Sequence, residues 1–251
     1  MFDNALLPTV ITHAAIVGFA AAVHGGIGIG FPMIATPLLA LATDVRTAIL
    51  LLVLPTVVLN VANIIKGGRW RHSIAVFWPL AVYGMIGSLI GTRLLVVFSP
   101  EPFLPLMAAM LVVYLNADRL GAGFAWVHRH PRIAFAAFGL TAGILAGTVN
   151  VMLPVLIIFA LEMNMSKTVM IQVFNFCFLF GKLTQGAVFA QAGLMTTDVL
   201  MASVPLALLG LVAMVLGMRI RDRIPTRVYR GWLRRLLVVL AVMLVVQFLR
   251  R

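Results

Sequence analysis

Gly26-Ile27-Gly28-Ile29-Gly30-Phe31-Pro32-Met33-Ile34-Ala35-Thr36-Pro37 interrupts an apolar stretch with glycine and proline. Gly143-Ile144-Leu145-Ala146-Gly147-Thr148-Val149-Asn150-Val151-Met152-Leu153-Pro154 does the same 117 residues later. Both read Gly-x3-Gly-x6-Pro. A second pair follows in the same order, 126 residues apart: Gly84-x6-Gly91-x-Arg93 and Gly210-x6-Gly217-x-Arg219. Gly-x3-Gly alone serves ordinary close helix packing, but two matched pairs in one order point to an internal repeat. The drift in offset places small insertions between them.

What surrounds these stretches is almost wholly apolar. The 251-residue chain is 63% apolar and 10% charged, with mean hydropathy +1.11. A soluble domain is nearer half apolar and a quarter charged, so this composition is that of an integral membrane protein. At roughly 20 residues per spanning helix, about ten spans would use about 200 residues and leave only short loops and tails. The spacing predicts spans at 5–23, 27–43, 46–65, 73–97, 102–117, 133–147, 149–162, 167–190, 198–218 and 233–249. The second and seventh are short and follow Gly-rich breaks, as half-helices or re-entrant segments do. The start, Met1-Phe2-Asp3-Asn4, lacks the basic region of a signal peptide, so the first apolar stretch is expected to be retained.

The charges divide by side. Alternating connections give one side Lys66, Arg69, Arg71, Arg119, Arg129, Arg132, Lys167, Arg219, Arg221, Arg223, Arg227, Arg230, Arg234 and Arg235. The other side receives Arg46, Arg93, Arg250 and Arg251, and Lys182 stays inside a span. The positive-inside bias then puts the first group in the cytoplasm and both termini outside. In a membrane chain a basic excess marks cytoplasmic loops, so no nucleic-acid partner is expected.

Sidedness inverts between the halves. Gly67-Gly68-Arg69-Trp70-Arg71 is basic while its counterpart near Ala190-Gln191-Ala192-Gly193 is not. Ser99-Pro100-Glu101-Pro102 is acidic while the stretch from Arg219 to Arg235 is the most basic of the chain. The expected fold is therefore an all-α polytopic membrane protein of about ten segments, arranged as two inverted five-helix repeats with Gly/Pro-broken helices. Residues 1–118 form the first repeat, 119–131 a cytoplasmic linker and 132–251 the second repeat. Inverted repeats with broken helices build many secondary transporters, with substrate held where the halves meet.

These residues also resemble a known family. Gly28-Ile29-Gly30-Phe31 and Ile34-Ala35-Thr36-Pro37-Leu38-Leu39-Ala40-Leu41, with Ala48 and Asn60 downstream, are similar to the first-half signature of the TauE/SafE sulfite exporters. Gly143 to Gly147 with Pro154-Val155-Leu156 resembles the second-half signature. Thr148-Val149-Asn150-Val151-Met152-Leu153 departs from it, standing where a Gly-Pro-rich run is commoner. The resemblance implies a bacterial inner-membrane permease for sulfite, organosulfonates or related anions. It implies transport rather than catalysis.

Candidate site residues follow from polar groups in apolar helices. Lys182 lies deep in the segment Met170 to Lys182, where a cation needs hydration or a partner and so marks function. The competing reading is a lysine near the span end that snorkels to the headgroups. Gln172, Asn175, Lys182 and Gln185 recur at helical spacing as one polar stripe, with Asn60 and Asn63 on the corresponding helix of the first half. Such amides also serve interhelical hydrogen bonding. The two breaks expose main-chain donors that favour anions. There Gly28, Gly30 and Gly147 allow close approach, and Thr36, Thr148 and Asn150 add side-chain donors. His24, beside Gly25-Gly26, could carry a proton, but it reads first as an interfacial packing group, as does His13.

Absences narrow the chemistry. Asp3, Asp44, Glu101, Asp118, Glu162, Asp198 and Asp222 all fall at tails or span ends. That argues against a metal-cation transporter and a carboxylate-based hydrolase. One cysteine, Cys177, excludes an intrachain disulfide. No metal spacing and no phosphate loop occur, so neither metal nor cofactor is expected. The expected partners are a small anionic substrate and the lipid bilayer, with a homodimer left open. The alternatives are a membrane subunit or assembly factor that moves nothing alone, a permease for another anion such as a carboxylate, and, least favoured, an intramembrane enzyme.

Overall fold

The computed structural model describes residues 6–67, 70–117, 126–221 and 226–250, and every regular element among these described residues is a helix. The order is α1 (Leu6–Ile27), α2 (Phe31–Ala42), α3 (Val45–Leu51), α4 (Val53–Lys66), α5 (Trp70–Val97) and α6 (Phe103–Leu115). Then come α7 (Trp126–Arg129), α8 (Pro131–Val149), α9 (Leu153–Glu162), α10 (Lys167–Gln191), α11 (Thr197–Arg221) and α12 (Thr226–Leu249).

Local chemistry sets these boundaries. The Asp44 carboxylate caps α3, accepting from the amides of Arg46 at 2.8 Å and Thr47 at 3.1 Å. Ser166 caps α10 through Val169 N–H at 3.4 Å. Pro32, Pro131 and Pro154 sit in first turns, where no amide donor is needed. The expected span 46–65 is two helices bent by 46° at Leu52. Pro55 explains the bend, because its ring clashes with the carbonyl four residues back, that of Leu51.

Five helices are long and apolar enough to cross a membrane, and six if the bent α3–α4 pair is one span. The sequence leads one to expect ten segments, and the difference lies mainly in the short ones. The apolar helices α2, α6 and α9 have 12, 13 and 10 residues. They rise about 15 to 20 Å, against a hydrocarbon core of about 30 Å. In α12 the first turns carry Arg227, Arg230, Arg234 and Arg235, so its apolar run begins only at Leu236. Of the linker assigned to 119–131, residues 119–125 lie outside the described residues, as do Gly68, Arg69 and Arg223. The remainder holds the single turn of α7.

Packing pairs the two halves of the chain. α5 lies along α8, and α1 lies along α11; α10 packs on α5, and α4 on α11; α6 meets α12. At the centre α4 and α10 run antiparallel: Asn63 bonds Asn175 at 3.2 Å, while a Cβ on Gly186 would sit 3.2 Å from Val53. The α5–α8 crossing is backbone on backbone. A Cβ on Gly147 would come within 2.5 Å of the Thr92 amide, and one on Gly143 would overlap the Gly84 carbonyl. The α1–α11 crossing repeats this, with Gly217 against the Ala22 carbonyl and Gly25 against that of Met214. Gly-x3-Gly therefore serves helix crossing here, as well as whatever else it does.

The helix ends sort into two groups. At one end Lys66 Nζ meets Met218 Sδ at 2.6 Å, and Gly67 lies against Gln172. At the other, Arg46 Nε donates to Leu95 O at 3.0 Å and its Nη2 to Phe98 O at 2.5 Å.

Candidate functional site

The two chain breaks have equal spacing. α1 ends at Ile27 and α2 begins at Phe31; α8 ends at Val149 and α9 begins at Leu153, so the structural offset is 122 residues. The spacing of the breaks thus differs from the 117 residues between Gly26 and Gly143. The second break is Asn150–Met152, and Gly147 lies within α8 rather than in the break. The conformations explain the shift. Gly28 (φ 91) and Gly30 (φ 98) turn the first break, whereas Asn150 (φ 60) turns the second. Asparagine tolerates this left-handed region better than other non-glycine residues, so the second break does not need the glycine that the motif suggests.

The breaks meet. Asn150 Nδ2 donates to Thr36 Oγ1 at 2.7 Å, joining the second break to α2, and both residues are buried. A Cβ on Gly30 would lie 3.8 Å from Leu153.

One polar cluster gathers at the first break. Asn175 Nδ2 donates to Gly28 O at 2.9 Å and to Ile171 O at 2.7 Å. Asn63 Nδ2 approaches Asn175 Oδ1 at 3.2 Å, Gly28 O at 3.3 Å and His24 Nε2 at 2.6 Å. On its other side His24 Nδ1 accepts the Phe31 amide at 3.3 Å. With 2% exposure, His24 belongs to the interior, which overturns the expectation of an interfacial packing group. Asn63 and His24 thus enter the site more centrally than their sequence context suggests. Their partners lie on α2, α4 and α10, and no local pattern announces such contacts.

A second cluster gathers near the end of α8. Gln185 Nε2 donates to Gly147 O at 3.1 Å and Ala146 O at 3.3 Å, and Gln185 Oε1 accepts from Lys182 Nζ. Lys182 is 3% exposed, too enclosed to snorkel. Asn175 and Lys182 share α10 but join different clusters, seven residues and about 10 Å apart along the helix.

The remaining candidates face their own helices. Asn60 Nδ2 donates to Thr56 O at 2.8 Å, and Thr148 Oγ1 to Ile144 O at 2.8 Å. Gln172 is buried against Gly67, and its Oε1 has no partner. Among the described residues no Asp or Glu is buried. Asp44 caps α3, Glu101 precedes α6, Glu162 ends α9 and Asp198 lies in the first turn of α11. A cation and several amides therefore line an interior in which no described carboxylate is buried.

The family model for the sulfite exporter TauE/SafE matches residues 14–248, nearly the whole chain. The chain belongs to the TauE/SafE family. No curated protein and no solved structure matches it. The TauE/SafE family comprises membrane permeases for sulfite and related sulfur anions, transporters rather than enzymes. Together with the apolar helices, membership makes this a multi-pass membrane protein. Both breaks and both polar clusters fall inside the TauE/SafE match.

Proposed function

We propose that the chain is a secondary transporter of a small sulfur-containing anion, sulfite or an organosulfonate, in the bacterial inner membrane, and that it performs no catalysis. One observation carries the reading. Lys182 is a buried cation whose described partner is an amide, in an interior where no described carboxylate is buried. A buried charge needs a partner, and an anionic substrate supplies one transiently. Lys182 gives the charge and Gln185 holds it in place. Asn175, Thr36 and Asn150 orient the anion, with main chain at Gly28, Gly30 and Gly147. Thr148 and Asn60 contribute only if they leave their own helices.

The reading includes two inverted five-helix repeats, 1–118 and 132–251, joined by a cytoplasmic linker. Support comes from the pairing of α1 with α11 as α8 with α5, and from equivalent helices α4 and α10 running antiparallel. That relation has its axis across the helices, in the plane of the membrane. The test is flux into liposomes holding purified protein, across sulfite, organosulfonates, sulfate and carboxylates. Saturable flux of a sulfur oxyanion is expected. Folded protein that moves none of them would instead make it a non-transporting subunit, and carboxylate flux alone would reassign the substrate.

A further inference from the structure

We propose that the hydroxyls of Thr56 and Thr92 complete the anion site at Lys182, and that the three groups together select a sulfo group by its three oxygens. This rests on the transport reading above and adds two donors and a basis for selectivity to it. Hydroxyls inside helices commonly donate to the carbonyl four residues back. Thr148 does so to Ile144 O at 2.8 Å, Thr184 to Phe180 O at 3.0 Å and Ser203 to Val199 O at 2.7 Å. Thr56 and Thr92 do not. Both are at most 1% exposed, yet neither Oγ1 meets a partner. A buried hydroxyl without a partner is costly, and a ligand oxygen is what would relieve it.

The packing of α4, α5 and α10 brings both threonines to Lys182. α4 and α10 run antiparallel, with Val53 against Gly186 and Asn63 bonded to Asn175. Thr56 follows Val53 by three residues and therefore stands level with residues 182–183. Val53, Thr56, Asn60 and Asn63 recur at spacings of three and four, so Thr56 shares the face that α4 turns toward α10. On α5, Ser88 Oγ donates at 2.8 Å to the carbonyl of Gly181, the residue before Lys182. Thr92 is one turn further along that face of α5. A Cβ on Gly147 would press on the Thr92 amide, and the Gly147 carbonyl accepts from Gln185, which holds Lys182 Nζ. One donor from each of three helices thus gathers about the Lys182–Gln185 pair.

These donors favour one class of anion. A sulfite or sulfonate head presents three oxygens in a pyramid, and an ammonium with two hydroxyls meets them one to one. A carboxylate holds its two oxygens in one plane, so three donors from three helices cannot each face an oxygen of their own. A buried donor left without its acceptor is what most strongly rejects the wrong ligand. A threonine hydroxyl hydrogen rotates to suit its acceptor, so these donors serve an oxygen without any movement of their helices. Binding transfers no proton and no electron.

The test uses Thr56→Val and Thr92→Val, which remove the hydroxyl and keep the branched shape, with Thr→Ser at each position to restore it. Thermal melts of the purified full chain are taken without anion and with sulfite, methanesulfonate or acetate, beside liposome flux of the same anions. Wild type should melt higher with a sulfur oxyanion than with acetate at equal concentration. Without anion, the valine variants should melt at the wild-type temperature or above it, because the hydroxyl they remove has no partner. Each should bind the sulfur oxyanion about tenfold more weakly or worse, and carry it correspondingly less at subsaturating concentration. Acetate should change less, and the serine variants should recover most of the loss. Valine variants that fail to fold, or melt below wild type without anion, would show hydroxyls that serve the fold and would overturn the proposal. Wild type favouring acetate, or an undiminished preference for the sulfur oxyanion in either valine variant, would overturn it too. Wild type that neither binds nor carries any sulfur oxyanion would defeat the transport reading itself.

Discussion

Lys182 faces opposite demands: as a buried cation it needs a counter-charge, and the described interior offers it only the amide of Gln185. Hydrogen bonds to a charged group contribute about 1.5–3 kcal/mol, roughly tenfold to a hundredfold in affinity. Lys182→Gln should keep the fold, since a glutamine can still reach Gln185 across three residues of α10. Its flux of sulfur oxyanion at subsaturating concentration should fall by about that factor, measured in liposomes beside a thermal melt. Lys182→Arg should retain part of the flux, because charge survives while geometry changes. Wild-type flux in the glutamine variant would leave the anion to the helix breaks alone. At this scale the buried polar residues of α10 and, among the described residues, the absence of buried acid were legible, because composition and helical spacing are local signals; that Asn175 and Lys182 join different clusters was not. His24 was not, because what makes it central is contact with Phe31 and Asn63 on other helices.

Among elements, the glycine pairs play two parts that the motif does not separate. Gly143 and Gly147 let α8 lie directly on α5, while Gly28, Gly30 and Asn150 turn the breaks. The motif therefore marked the right helices in the wrong register, since Asn150 does without glycine what Gly28 does with it. The second pair lies within helices: Gly84 and Gly91 in α5, Gly210 and Gly217 in α11. Short helices were legible from the breaks, but the bend at Leu52 needed the carbonyl geometry upstream of Pro55. Gly143→Val separates the parts, because a side chain there meets the Gly84 carbonyl, which is backbone and cannot move aside. The variant should lose about 1–3 kcal/mol or more of stability, seen as a lowered melting temperature in detergent. Gly231→Ala is the matched control. Nothing lies within 4 Å of its Cβ position in α12, so the change should be neutral or stabilising by up to about 1 kcal/mol. Equal melting temperatures for the two variants would mean that α5 and α8 do not cross as described.

For the whole molecule, two independent kinds of information divide the helix ends in the same way. The positive-inside bias groups Lys66, Lys167 and Arg219 on one side, expected to be the cytoplasm, and Arg46 and Arg93 on the other. Contacts do likewise: the end of α4 meets the end of α11 through Lys66 and Met218, and Gln172 near the start of α10 lies against Gly67. Arg46 at the start of α3 holds the far end of α5 through Leu95 and Phe98. Charge bias is read during membrane insertion and contacts arise from packing, so their agreement supports one grouping of the helix ends, whose sidedness is the expectation to test. Cysteine labelling tests it. Cys177 is buried, and replacing it with serine removes the only native thiol. In that background Ser99→Cys, at an exposed position between α5 and α6, should react with an impermeant maleimide in intact cells. Arg227→Cys, at the basic start of α12, should react only after the membrane is opened. The reverse pattern would turn the protein over and bring both termini to the cytoplasm. Labelling of both sites in intact cells would break the alternation of sides, and with it the two inverted five-helix halves.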